Sequence, residues 1–312
     1  MKNLEILSKN QVVVTASGIT DNLYNEFISF IDAKPKTIAT YTRALRQFFA
    51  FLKNHGITHP KREDVIAFRE ELLLRNKPTT VQNYIVTVRL FFRWLEQMGI
   101  YKNIADKIKS PTISKAHKKD YLTSKQVKAI LEHIASDTTE QGIRDYAIFA
   151  VMVVGGLRTI EIARSNISDV RNVGDNTVLF IQGKGRDEKT DYIKLPFFVE
   201  RAVRRYLKLR NGESNEPLFV STSNNNLGQR LTTRSISGII KSRLKEAGYN
   251  SEMLTAHSLR HTAGTLNLLN GGSLEETQQL LRHSNINTTM IYLHHMERAK
   301  NMSEERIANV IF

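Results

Sequence analysis

The sequence predicts a mainly α-helical protein with a small β-sheet, in two parts: an N-terminal helical bundle and a larger α/β domain that is mostly α. Length is the first ground, since 312 residues exceed one ordinary domain and suit two. Period is the second: through most of the chain apolar residues recur at alternating steps of three and four, the spacing of one helix face. The third is an exception. Only Val178–Gln182 and Tyr192–Leu195 read as strands, and a glycine-rich turn between them suits a hairpin.

The bundle is expected over residues 15–105. A short helix near Leu23–Ile31 opens it. From Thr37 to Gly56, residues Ile38, Tyr41, Leu45, Phe48 and Leu52 share one face, with Thr37 fit to cap the start and Gly56 the end. A second long helix, over 62–75, turns Val65, Phe68 and Leu72 inward. The third, Thr80 to Gly99, repeats the first 43 positions later: Thr37, Tyr41, Arg46, Phe48, Phe49, Leu52 and Gly56 return as Thr80, Tyr84, Arg89, Phe91, Phe92, Leu95 and Gly99. Two copies are too few for a repeat architecture, so two helices meeting one packing requirement is the preferred reading. Lys34, Lys36, Arg43, Arg46, Arg89 and Arg93 lie on the outer faces. Each alone is an ordinary solvated side chain, but as a set they suit contact with backbone phosphates.

Between Lys102 and Lys119 the periodicity lapses. Six lysines, Pro111 and serines with Asp106 as the only acid make residues 106–119 a basic linker, either laid along a duplex or a plain solvated tether.

The second domain is expected over 120–312. Thr123 or Ser124 caps a helix with Val127, Ile130, Leu131 and Ile134 on its apolar side. Tyr146–Val154 is almost wholly apolar, yet nine residues cannot span a bilayer, so this is a buried central helix. It ends at Gly155-Gly156. Arg158 and Glu161 follow, three apart, and can pair; an arginine at that place needs its glutamate or an anion. The hairpin turn, residues 183–188, sets Lys184 between two glycines, where a turn lysine is commonplace and no phosphate-binding P-loop pattern is present. A polar loop, Ser221–Gly228, precedes a helix over 233–247, and Arg230, Arg234, Lys241 and Arg243 are second-rank candidates for DNA contact. Ser273 and Glu276 form a capping box that opens a helix through Leu281 and leaves His283 at its C-terminal end.

Charge narrows the partner. Lysine and arginine number 45 against 31 acids, a formal +14, which points to a polyanion. Nucleic acid is favoured over an anionic membrane, because the basic residues are not gathered on one amphipathic segment and no apolar run approaches ~18 residues. The absence of cysteine excludes disulfides, thiolate metal sites and a cysteine nucleophile, and it suits a cytoplasmic protein. The first ten residues lack the continuous apolar core of a secretory signal, so a cytoplasmic location is expected. No cofactor and no metal are expected. A zinc site from His257 and His261 would set Arg260 beside the ion, with no H-E-x-x-H glutamate to help.

The most specific stretch is Thr255 to His294. His257-x-x-Arg260-His261, then Leu281-Arg282-His283, then Thr288-Thr289-x-x-Tyr292-x-His294 resembles the signature of the tyrosine recombinases, the phage-integrase family. Gly156-Leu157-Arg158-x-x-Glu161 and Gly183-Lys184-Gly185 match the family's two earlier motifs in order. The resemblance runs from about residue 20 to the end. It implies a core-DNA-binding bundle followed by a catalytic domain, and a site-specific recombinase that cuts and rejoins duplex DNA through a 3′-phosphotyrosyl intermediate and a Holliday junction. On this resemblance Tyr292 is the nucleophile, Arg158 and Arg260 hold the nonbridging oxygens, and Lys184 protonates the leaving oxygen. His257 assists deprotonation of Tyr292, His283 hydrogen-bonds the phosphate, Glu161 supports Arg158, and His261 is structural.

The resemblance further implies a homotetramer on DNA, with a monomer allowed in solution, in which four protomers clamp two duplexes. The apolar C-terminal helix, with Ile307, Val310, Ile311 and Phe312, is expected to dock on the next protomer. About twenty residues precede the bundle, which suggests the simpler, Xer-like members. Two positions depart from the pattern: Arg282 stands where glycine is usual, and Ile160 where a small polar residue is common. The alternatives are a type IB topoisomerase-like enzyme, which unwinds one site rather than joining two, and a DNA-binding regulator of the same fold without catalysis.

Overall fold

Residues 4–8, 11–14, 21–113, 120–183, 186–292 and 301–312 are described by a computed structural model of the chain. It divides into two units, Met1–Lys115 and Ala116–Phe312.

In the first unit β1 (Leu4–Ser8) and β2 (Gln11–Val14) pair antiparallel, with Leu4 opposite Val14. No element was expected here, although Val12-Val13-Val14 is a β-branched run. Four helices follow: α1 (Asp21–Phe30), α2 (Pro35–Asn54), α3 (Arg62–Arg75) and α4 (Pro78–Gln97). Pro35 and Pro78 open α2 and α4 two residues before the expected threonines, because proline in the first turn lacks only an N–H that has no helical partner. Both helices end alike. Gly56 and Gly99 take φ +65° and +67°, and the next amides, Ile57 and Ile100, reach back to the carbonyls of Leu52 and Leu95 at 2.9 Å.

The repeated aromatic pair packs against its own copy. Phe48 meets Phe92 edge-on at 5.9 Å and Phe49 meets Phe91 at 5.6 Å, and the buried Phe27, Phe68 and Trp94 complete the core. Ala105 and Ile108 belong to the same core. Arg69 donates to the Lys109 carbonyl at 2.8 Å, Arg89 to Ser110 Oγ at 3.3 Å, and Arg62 to the Asp106 carbonyl. Residues 106–110, which composition assigns to the linker, thus pack on the bundle, held by the Ile108 side chain and three arginines. Residues 114–119, with three of the linker lysines, lie outside the described residues.

The second unit is built on α6 (Glu140–Gly155), whose residues from Ala147 to Val153 are all buried. Around it pack α5 (Ser124–Ala135), α8 (Phe197–Arg210), α9 (Thr233–Glu246) and α10 (Ala256–Leu269). Thr123, one of the two expected residues, caps α5, and Gln126 completes a capping box that the sequence reading did not name, while α8 went unassigned from sequence despite Val199, Ala202, Val203 and Tyr206 on its buried face. Short α7 (Thr159–Arg164) leads to an antiparallel sheet of β3 (Val170–Val173), β4 (Asn176–Ile181) and β5 (Asp191–Lys194), in that order. β4 and β5 are the expected hairpin. β3 escaped notice because three of its four residues are exposed and no alternation marks it. After α11 (Leu274–Leu281) come α12, described over 287–292, and α13 (Ser303–Ile311).

One contact sets up the site. Gly156 ends α6 at φ +58°, and a Cβ there would come within 2.7 Å of Leu281, so the turn after α6 lies directly against the end of α11.

Candidate active site

Four segments of the second unit meet at this junction. The first begins where α6 stops. Arg158 flanks α7, and its backbone N–H and Nη1 donate to the two oxygens of Glu161 at 2.8 and 3.0 Å. Glu161 has no exposed surface, whereas Arg158 keeps 27% of its side chain open. The pairing expected from sequence forms, and it leaves the guanidinium facing the cleft.

α10 supplies the second segment. Arg260 is buried, donating from Nη1 to the Gly156 carbonyl at 2.6 Å and from Nη2 to the Leu281 carbonyl. Burial, with Arg158 and Arg282 alongside, pushes its pKa down to about 9, which still leaves it charged at neutral pH. His257 is exposed on the first turn of the helix, and its ring meets that of His261 edge-on at 4.6 Å.

The end of α11 is the third. The Ser273–Glu276 capping box forms. His283 follows the helix, its carbonyl taken by Gln278 at 3.0 Å and its Nδ1 within 2.9 Å of Thr289 Oγ1. Burial first, then Arg260, Arg158 and Arg282, pushes the imidazole down to about 4, so it is neutral at physiological pH.

Tyr292, on α12, is the fourth. Its ring is 4% exposed and packs with Ala263, Leu268 and Leu281, lying 3.5 Å from where a Cβ on Gly264 would stand. The His283 ring is parallel to it at 6.3 Å, and the His261 ring is 5.2 Å away. Burial raises the phenol's pKa, while Arg260 and Arg158 oppose that rise. Burial keeps the phenol protonated at rest, and the two guanidiniums reduce the cost of forming its anion.

Arg158, Glu161, His257, Arg260, His283 and Tyr292 line one cleft of about 810 Å³. Lys184 lies outside the described residues, as does His294. Its neighbours Gly183 and Arg186 line the cleft, and Arg164 donates to the Gly183 carbonyl at 3.3 Å. Sequence reasoning passed over Arg186, and it treated His261 as structural although that residue lines the cleft too. Thr289, fully buried against His283, stands in the Thr288-Thr289 motif but was given no role from sequence.

The candidate DNA contacts divide. Arg43, Arg46 and Arg93 are exposed on α2 and α4, while Arg89 is half-buried against Ser110. In the second unit only Arg234 of its four is exposed without a tether among the described bonds. Arg243 is corrected outright. It is buried, with Nε on Asp145 at 2.9 Å, Nη2 on Asp137 at 2.7 Å and Nη1 on Glu246 at 3.0 Å, an ion network that fixes α9 to α6. Helical spacing put it on a polar face, but three carboxylates drew it inward. Lys241 donates to the carbonyls of Ser251 and Leu254, and Arg230 to those of Ala163 and Ser165, so both are committed to backbone.

Comparison with known proteins gives the family and the fold. A sequence model of the phage integrase family matches residues 120–298, and one of the phage integrase N-terminal SAM-like domain matches 24–99. Tyrosine recombinase XerC of Caldanaerobacter subterraneus subsp. tengcongensis is 33% identical over 199 residues, 62% of this chain and 52% of that protein. The chain thus spans about half the length of that relative. Tyrosine recombinase XerC of Pelobacter propionicus is 30% identical over 271 residues, 83% of this chain and 85% of its own. The structure of the XerH site-specific recombinase bound to palindromic difH substrate, a post-cleavage complex, superposes with a TM-score of 0.72 at 20% identity, covering 93% of this chain and 85% of that one. It has the same fold.

Proposed function

Since the chain belongs to the phage integrase family, we propose that it is a tyrosine site-specific recombinase, cutting and rejoining duplex DNA through a covalent 3′-phosphotyrosyl intermediate. One observation carries the reading: Arg158, His257, Arg260, His283 and Tyr292, drawn from four segments, line a single cleft. No core-packing need explains two buried or half-buried arginines facing a buried phenol.

In this reading the Tyr292 oxygen attacks the scissile phosphorus while the bond from phosphorus to the 5′ oxygen breaks. The tyrosine proton passes to His257, and Lys184 protonates the departing oxygen. Negative charge grows on the nonbridging oxygens, where Arg158 and Arg260 meet it; a preorganised donor of this kind is worth about 3–4 kcal/mol. His283, neutral at physiological pH, serves as a hydrogen-bond donor oriented by Thr289 rather than as a third cation. The phosphotyrosyl bond conserves the energy of the broken one, so attack by a free 5′-hydroxyl from a second duplex reseals the strand. Paired exchanges then pass through a Holliday junction.

The active form we propose is a homotetramer on two duplexes, working in the cytoplasm where its DNA is. No described helix is long and apolar enough to cross a membrane. α13 supports assembly, since Ile307, Val310, Ile311 and Phe312 are all exposed. The test is a nicked suicide duplex carrying sequence that the protein selects from a random pool. Wild type is expected to form a covalent adduct, and Tyr292→Phe to bind equally and form none. Tight binding without an adduct, or an adduct from Tyr292→Phe, overturns the mechanism. Relaxation of one supercoiled site without joining two would favour the topoisomerase alternative.

A further inference from the structure

The residue just before His283 is an arginine in a conformation that favours glycine. Arg282 caps α11 at φ +52°, where an L side chain crowds its own backbone. Its guanidinium folds into the cleft wall. Nη1 donates to the Leu280 carbonyl at 2.6 Å and the Gly155 carbonyl at 3.4 Å, and Nη2 to the Gly156 carbonyl at 3.2 Å and Glu161 Oε2 at 3.1 Å. Both of the last two acceptors are shared. Gly156 also receives Arg260, and Glu161 also receives Arg158.

This sharing changes the charge of the site. A fully buried Glu161 facing Arg158 alone would make a neutral pair, leaving Arg260 as the one uncompensated guanidinium to meet an anion. With Arg282 on the other oxygen, three guanidiniums stand against Glu161, and Arg186 is offset by Asp191 at 2.6 Å, leaving two positive charges among these groups. A phosphodiester under attack passes from one negative charge to two, so the cleft's excess matches the transition state rather than the ground state. Arg282 also spans the two halves of the site, tying the turn after α6 to the end of α11.

We propose that Arg282 is a positioning residue for DNA cleavage: it takes up the charge of Glu161 and locks the Gly155–Gly156 turn to α11, so that Arg158 and Arg260 meet the phosphate with their charge undiminished. The inference rests on reading the cleft as a phosphodiester-cleaving site.

The experiment measures single-turnover adduct formation on a nicked duplex selected by the full chain, for wild type, Arg282→Gly, Glu161→Gln and the double variant, with melting temperature and duplex affinity alongside. Arg282→Gly is expected to slow cleavage about tenfold or more while binding is kept. Adding Glu161→Gln removes the uncompensated carboxylate, so the double variant is expected to cleave faster than Arg282→Gly alone. A scaffold role cannot give that rescue, because two lost anchors would be no better than one. Should Arg282→Gly fail to fold, Arg282→Gln and Arg282→Lys carry the same comparison, with lysine expected the faster. No adduct from wild type overturns the reading of the cleft itself. Adduct from wild type with Arg282→Gly equally fast, or a double variant no faster than Arg282→Gly, overturns the role of Arg282 and leaves that reading standing.

Discussion

His283 shows how far a residue's surroundings can set its chemistry. The motif predicted a histidine at the end of α11, and the structure adds that it is neutral: burial and three nearby guanidiniums push it down to about 4 from an ordinary 6.5. Between these values the unfolded chain binds a proton that the folded chain refuses, so stability falls as pH drops from about 6.5 to 4, and above 6.5 the contribution is complete. Thermal melting across this range should therefore fall more steeply for wild type than for His283→Asn; parallel curves would deny the shift. Position and type were legible here, and so was the Arg158–Glu161 pair, because three-residue spacing on a helical turn is local. Arg282 was legible only as an oddity. Its function depends on a positive φ and a carboxylate 121 residues away, and neither leaves a mark in the local pattern.

Helices were the most readable elements, because period and caps are written within a few residues. α2, α3, α4, α5 and α9 stand within about two residues of their expected places, and the Ser273–Glu276 box opens α11 as read. That box also aims the site, since the far end of α11 carries His283. Ser273→Ala should cost about 1 kcal/mol in denaturant unfolding and slow cleavage, with an unaltered midpoint counting against the cap. In the bundle, Phe48 touches Phe49, Phe68 and Phe92 and has no exposed surface. Phe48→Ala should cost about 3–5 kcal/mol, a loss read from the same unfolding curves. The misses were elements whose stability comes from partners. β3 is mostly exposed and exists because β4 offers it a ladder, and Arg243 left its polar face because Asp137, Asp145 and Glu246 converge on it.

For the whole molecule, the formal +14 points to a polyanion, and the exposed arginines on the bundle and on α9 are the places where the proposed DNA contact would act. Duplex affinity should fall linearly on a plot of log K against log salt, each released phosphate contact adding about 0.9 to the slope, and Arg43→Ala with Arg46→Ala should flatten it. In the proposed assembly, charge would bring DNA to one protomer but would not bring protomers together. That task falls to apolar surface, and α13 has it in excess: Val310 is 87% exposed and Ile307 59%, on a helix with no buried residue. Leaving such side chains in water forgoes about 25 cal/mol for each Å² that a partner could cover, a loss that docking on a neighbouring protomer would recover. Deleting residues 307–312 should then leave binding to a single duplex intact while weakening the association of two labelled duplexes, followed by energy transfer between them. Recombination at the wild-type rate by the shortened chain would remove α13 from the assembly.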